Sequence, residues 1–265
     1  MDHSDNTISK KIVSRRDFTA MAALLGGVSI AAPASAQSLG SILGSAKKVI
    51  DAASYSDAEM KVFFDQMSED MDEKNPLAPA DSPYAQRLAA LSQGLDSYDG
   101  LDLDIQAYLV KDVNAFAMAN GTIRVFAGLM DEFTDDEVRY VIGHEIGHVQ
   151  REHTKKRMQG ALQRDAAMSV AGTASGGVKR IASSELGEFF GNVITAQHSQ
   201  KHEREADDYA LQFMLDNEYD AQACVTALEK LDAMSGGSGA SGLAAWTSTH
   251  PSPKSRAKRL RKKLD

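Results

Sequence analysis

The sequence predicts an α+β fold, mainly helical, with a small antiparallel β-sheet beside one buried helix. Three observations predict it. Apolar residues recur at helical spacing, between capping signals, over most of the chain. Strict alternation of apolar and polar residues is confined to one stretch near residue 105. Finally, the segment Val141-Ile142-Gly143-His144-Glu145-Ile146-Gly147-His148-Val149 is apolar or small at most positions, as a helix enclosed by neighbours must be.

The elements follow in order. Ser14-Arg15-Arg16-Asp17-Phe18 precedes a weakly apolar run from Thr19 to Ala32 and then Ala34-Ser35-Ala36. A polar start, a short apolar middle and a small-x-small cleavage site define a signal peptide over residues 1–36. Its paired arginines resemble a twin-arginine signal, which implies export to the periplasm. Residues 37–265 read as one domain. No cysteine stands directly after the cleavage site, so no lipid anchor is expected there, and no other apolar run approaches the length of a bilayer span.

Residues 38–96 form the helical N-terminal part. Ser56-Asp57-Ala58-Glu59 is a capping box that opens a helix through Met71, stopped by Asn75-Pro76. Ser82-Pro83 starts another. The core, residues 97–234, begins with a turn at Tyr98-Asp99-Gly100. Leu101, Leu103, Ile105, Ala107 and Leu109 then alternate with mostly polar residues, the pattern of a half-buried strand. Val113–Ala119 and Thr122–Ala127 flank Asn120-Gly121, a hairpin signal. A second capping box, Thr134-Asp135-Asp136-Glu137, opens the helix that carries His144 and His148. Further helices are expected near 155–171, 184–217 and 220–234. A mobile Gly/Ser loop is expected at 235–249, and a terminal helix at 253–264.

A net charge of −8 argues against nucleic acid, whose phosphates require a basic surface. Lys254, Arg256, Lys258, Arg259, Arg261, Lys262 and Lys263 read as the solvated face of the last helix. The single cysteine, Cys224, excludes an intramolecular disulfide and reads as a small buried residue.

The chemistry centres on His144, Glu145 and His148. Residues four apart share a helix face, so both imidazoles can address one metal ion, with zinc the expected one. Glu145, one residue on, is poorly placed as a ligand but can reach a water at the metal. A catalytic zinc takes three protein ligands. Glu203 supplies the third in Glu203-Arg204-Glu205-Ala206-Asp207, with Asp207 on the same face to hold a ligand histidine and Glu205 facing elsewhere. His153 reads as structural. His198 and His202, expected on the Glu203 helix, read as surface or supporting residues. His250 follows the Gly/Ser loop and can swing over the metal, as an oxyanion stabiliser, a fourth ligand or a structural contact.

His-Glu-x-x-His with a downstream Glu-x-x-Ala-Asp resembles the HtpX-like (M-48) zinc metallopeptidases. Asn114-Ala115-Phe116-Ala117, Asn120-Gly121, Gly128-Leu129, His153, and His250-Pro251 with Arg256 agree with that resemblance. The stretch from Lys111 to Gly121 is most similar to the periplasmic LoiP- and BepA-type members. The resemblance runs from about Ala53 to Leu264. It implies a gluzincin-type metalloprotease, one Zn2+ per chain on His144, His148 and Glu203, and endopeptidase activity. The membrane helices and helical-repeat tail found in some members are absent from this sequence. The expected function is therefore a zinc-dependent endopeptidase of the bacterial envelope, with Glu145 as general base, acting on misfolded or misassembled envelope proteins. Substrate is expected to pair as an added strand along Val113–Ala119. The alternative is an envelope chaperone or assembly factor with latent proteolysis.

Overall fold

The computed structural model describes residues 57–161, 196–235 and 243–265. The signal peptide, the Ser56 cap, residues 162–195 and the Gly/Ser stretch 236–242 lie outside them, with the expectations made for those segments.

Two helices, α1 (Asp57–Lys74) and α2 (Pro83–Leu91), come first. The second starts as its sequence dictates. The Ser82 hydroxyl accepts the Ala85 N–H, and Pro83 needs no N–H partner in the first turn. Three strands follow, β1 (Asp104–Tyr108), β2 (Ala115–Ala117) and β3 (Thr122–Phe126), in the spatial order β1-β3-β2. The hairpin between β2 and β3 is antiparallel, as Asn120-Gly121 predicts. Gly121 sits at φ +92°, and a Cβ there would lie 1.9 Å from the Asp102 carbonyl oxygen, so the turn requires glycine.

The expected antiparallel sheet is corrected to a mixed one. β1 pairs with β3 in parallel, Asp104 opposite Thr122 through Tyr108 opposite Phe126. Alternation identifies a strand's buried face but carries no information about its direction. The chain leaving β1 runs to the far side, forms β2 as the edge strand, and inserts β3 into the middle, where all five residues are buried. Arg124 on β3 is 2% exposed, with its guanidinium 2.8 Å from both Asp72 and Asp104. That ion cluster pins α1 to the sheet.

After a short helix α3 (Ala127–Glu132), α4 (Asp135–Gln150) carries the chemical motif. Its capping box forms as expected, with Thr134 N–H donating to Glu137 Oε2 at 2.8 Å and Glu137 N–H to Thr134 Oγ1. Residues 153–161 are helical. The helix expected from 184 to 217 is corrected at its start. α5 (Gln200–Asp216) begins only at Ser199, whose hydroxyl caps it by accepting the His202 N–H; residues 196–199 are not helical. The remaining helices are α6 (Ala223–Ser235), α7 (Ala244–Thr249) and α8 (Pro253–Leu264). The segment read as a mobile loop is corrected at α7. Leu243 and Trp246 bury their side chains and hold it against the core. Cys224 is fully buried, as expected, and burial pushes its thiol pKa up to about 12.

Helices α4 and α5 approach closely because α4 presents two glycines. A Cβ on Gly143 would lie 2.6 Å from the Phe213 ring, and one on Gly147 would lie 3.1 Å from the Ala206 backbone. Alanine in a helix gains about 1 kcal/mol over glycine. Overpacking a closed core costs about 1–3 kcal/mol, and at 2.6 Å the upper end applies. Gly143→Ala is therefore expected to lose about 1–2 kcal/mol net, read as a lower urea midpoint with an unchanged m value. A midpoint equal to wild type would refute the claim that the helices cannot yield.

Candidate metal centre

The glycine-lined contact sets the first turn of α5 beside the middle of α4, and the donors converge there. His144 Nε2 and His148 Nε2 are 3.1 Å apart. Glu203 lies within reach of both, Oε1 at 3.3 Å from His148 Nε2 and Oε2 at 3.6 Å from His144 Nε2. His250, at the end of α7, adds Nδ1 at 3.2 Å from Glu203 Oε1 and 3.4 Å from His144 Nε2. One donor atom from each of these four residues lies within 4.8 Å of every other, and all four residues are buried. The three ligands expected from the sequence are thus brought together, and His250 joins them.

These donors fit a cation. The far nitrogen of His144, Nδ1, lies 3.2 Å from Asp207 Oδ1, which accepts its N–H and turns Nε2 toward the cluster. Nε2 faces a second imidazole nitrogen and a carboxylate, an arrangement that repels itself unless a positive charge, a proton or a metal ion, sits between. Nitrogen and carboxylate ligands in a buried four-donor set suit Zn2+.

Glu145 is 1% exposed, and its Oε1 has no hydrogen-bond partner among the described residues. His250 Nε2 stands 3.5 Å away. Burial raises the Glu145 carboxyl above its ordinary range, although the neighbouring His250 and His144 imidazoles pull the other way. This is the environment of a carboxylate held ready for a proton.

Asp207, the expected support for a ligand histidine, has further partners. Tyr140 donates its hydroxyl to Oδ1 at 2.8 Å. Arg256 donates Nη2 to Oδ1 at 2.6 Å and Nε to Oδ2 at 3.0 Å, while its Nη1 bonds Glu203 Oε2. Burial would raise both acids, but the adjacent Arg256 charge overrides it and holds Glu203 and Asp207 well below the usual carboxylate range.

Arg256 corrects the reading of the basic tail as a solvated face. It is 4% exposed and reaches the centre of the site, whereas Lys254, Lys258, Arg261 and Lys262 face solvent. The signal lay in its spacing. Pro253, Arg256, Ala257 and Leu260 form the buried stripe of α8 at helical intervals, so Arg256 shares the apolar face.

The other histidines also belong to this region. His153 Nδ1 lies 3.0 Å from His148 Nδ1, and Glu205, expected to face elsewhere, bonds His153. His198 precedes the α5 cap, a correction to its expected place on the helix. Its ring lies against that of His148 at a 4.0 Å centroid distance, and its backbone N–H donates to Thr249 O. Trp246 stacks on His250 at 4.3 Å and seats it over the donors.

Comparison with known proteins agrees with this geometry. Residues 87–264 match the family described as Peptidase family M48. The chain is 40% identical to metalloprotease LoiP of Escherichia coli (strain K12), covering 84% of this chain and 87% of that protein. It is 34% identical to metalloprotease YcaL of the same organism, covering 80% and 83%. It is also 31% identical to mitochondrial metalloendopeptidase OMA1 of Arabidopsis thaliana, there covering 61% of this chain and 32% of that protein.

Proposed function

This chain belongs to peptidase family M48 and is a metalloendopeptidase, and on that premise we propose that it is a zinc enzyme of the bacterial cell envelope that cleaves misfolded or misassembled envelope proteins. The observation that carries the zinc reading is the convergence of His144, His148 and Glu203 on one buried point. The envelope reading is supported by the likeness to two Escherichia coli metalloproteases and by the signal-like start of the sequence. Among the described residues no helix is long and apolar enough to cross a membrane.

His144, His148 and Glu203 would hold the ion. Zinc, when bound, acts as a Lewis acid on the peptide carbonyl and makes a neighbouring water easier to deprotonate. Glu145 then takes the water's proton, aided by a carboxyl already raised by burial, and returns it to the departing amine. Asp207 and Arg256 hold His144 and Glu203 in place throughout. His250 stands where a fourth donor would, and seated there it occupies the position a water needs. His250 would serve either as that fourth donor or, drawn back from it, as a donor to the developing oxyanion.

The test is casein degradation before and after chelation and zinc return. Activity is expected to vanish with chelator and recover with zinc. His144→Ala and Glu203→Ala are expected to carry well below one zinc per chain by atomic absorption. Chelator-insensitive cleavage would overturn the reading.

A further inference from the structure

The two ligand histidines are held from behind in different ways. His144 meets a buried carboxylate directly, Asp207, at 3.2 Å. His148 meets another imidazole: its Nδ1 lies 3.0 Å from His153 Nδ1. Two ring nitrogens at that distance share one hydrogen, so one donates and the other must accept. The far side of His153 decides which. Its Nε2 lies 3.1 Å from Glu205 Oε2, and an ionised carboxylate can only accept.

We propose that His153 and Glu205 are positioning residues that set the tautomer of His148 and aim its Nε2 at the metal. Glu205 takes the Nε2–H of His153. His153 is then left with a bare Nδ1, which accepts the Nδ1–H of His148. The one nitrogen of His148 without a hydrogen is Nε2, which faces Glu203 and His144. The relay ends on a half-exposed carboxylate: the Glu205 side chain is 40% exposed, whereas His153 is buried.

Packing keeps the rings in register. His202 stacks on His153 at 4.2 Å and 12°, and His148 meets His153 nearly edge-on, at 72°. Turning the His153 ring would break the stack and both hydrogen bonds together. Glu205 and His202 sit on α5 with Glu203, so the helix that supplies the third ligand also fixes the orientation of the second.

The inference rests on His148 being a ligand, and the test separates the two ideas. Zinc dissociation constants are measured by competition with a chromogenic chelator, on protein whose fold is checked by circular dichroism. Removal of a partner behind a ligand histidine costs about 10–100-fold in metal affinity. His153→Ala is expected to lose that much. His153→Asn, whose carbonyl oxygen sits near the lost Nδ1, is expected to recover most of it. Glu205→Ala is expected to weaken binding several-fold in the wild-type chain but not in the His153→Asn chain, since it acts only through the His153 ring. If His153→Ala does not fold, the exposed Glu205 and the Asn variant still carry the comparison. Wild-type affinity in folded His153→Ala, no recovery in folded His153→Asn, or an equal Glu205→Ala effect in both chains would overturn the relay. A wild-type chain that binds no zinc would instead sink the ligand assignment.

Discussion

Glu145→Gln is expected to abolish peptide-bond cleavage and leave one zinc per chain. Glutamine fills the same volume in the buried position, so the fold and the three metal donors stay as they are. The amide cannot take a proton, however, and loss of a positioned general base typically costs about 10²–10⁴-fold in turnover. The expectation is sharpened by the environment. Glu145 Oε1 has no hydrogen-bond partner among the described residues, so the substitution gives up there only the 3.5 Å approach of His250 Nε2. Zinc content by atomic absorption and kcat on a fluorogenic peptide check both halves. Near-wild-type turnover in a zinc-loaded variant would refute the base assignment.

Replacing Arg256 is expected to damage stability and metal binding together. Its guanidinium is the buried cation between two buried carboxylates, Glu203 and Asp207, and it also lies near the Tyr140 hydroxyl. Removing one partner of such a network strands the others, at a cost of about 3–5 kcal/mol. Arg256→Met keeps most of the bulk and deletes the charge, so it isolates that cost. Arg256→Lys keeps the charge but loses the planar fork that serves both acids, and is expected to recover only part. Urea unfolding and chelator competition measure the two effects. A folded Arg256→Met chain with wild-type stability and zinc affinity would show that the two acids need no such counter-charge.

How much of this was legible in the sequence depended on range. His144 and His148 were readable because one helical turn fixes their relation, and the capping box at Thr134 marked where that helix begins. The convergence of Glu203 on that pair was readable because two histidines facing one point call for a third donor. Contacts between elements far apart in the chain were not. Arg256 meets Asp207 across 49 positions; the family resemblance marked the residue but not its role, and locally only its place in an apolar stripe separates it from the exposed lysines around it. The relay from His148 to Glu205 was hidden for the same reason, because its members come from two helices whose packing the sequence does not state. The parallel pairing of β1 was missed because alternation is the same in either direction. Trp246 was missed because the Gly/Ser run beside it outweighed one large apolar residue that proves to be a core anchor.

The position of α8 has a consequence for timing. Its Arg256 neutralises two acids that the earlier helix α5 contributes, so the centre is not finished until residues 253–264 have docked. A ribosome-bound chain that has released only α4 and α5 carries His144, His148 and Glu203 but leaves Glu203 and Asp207 without their counter-charge. A centre built this way gains its full set of charges only after α8 has followed the helices that carry the donors.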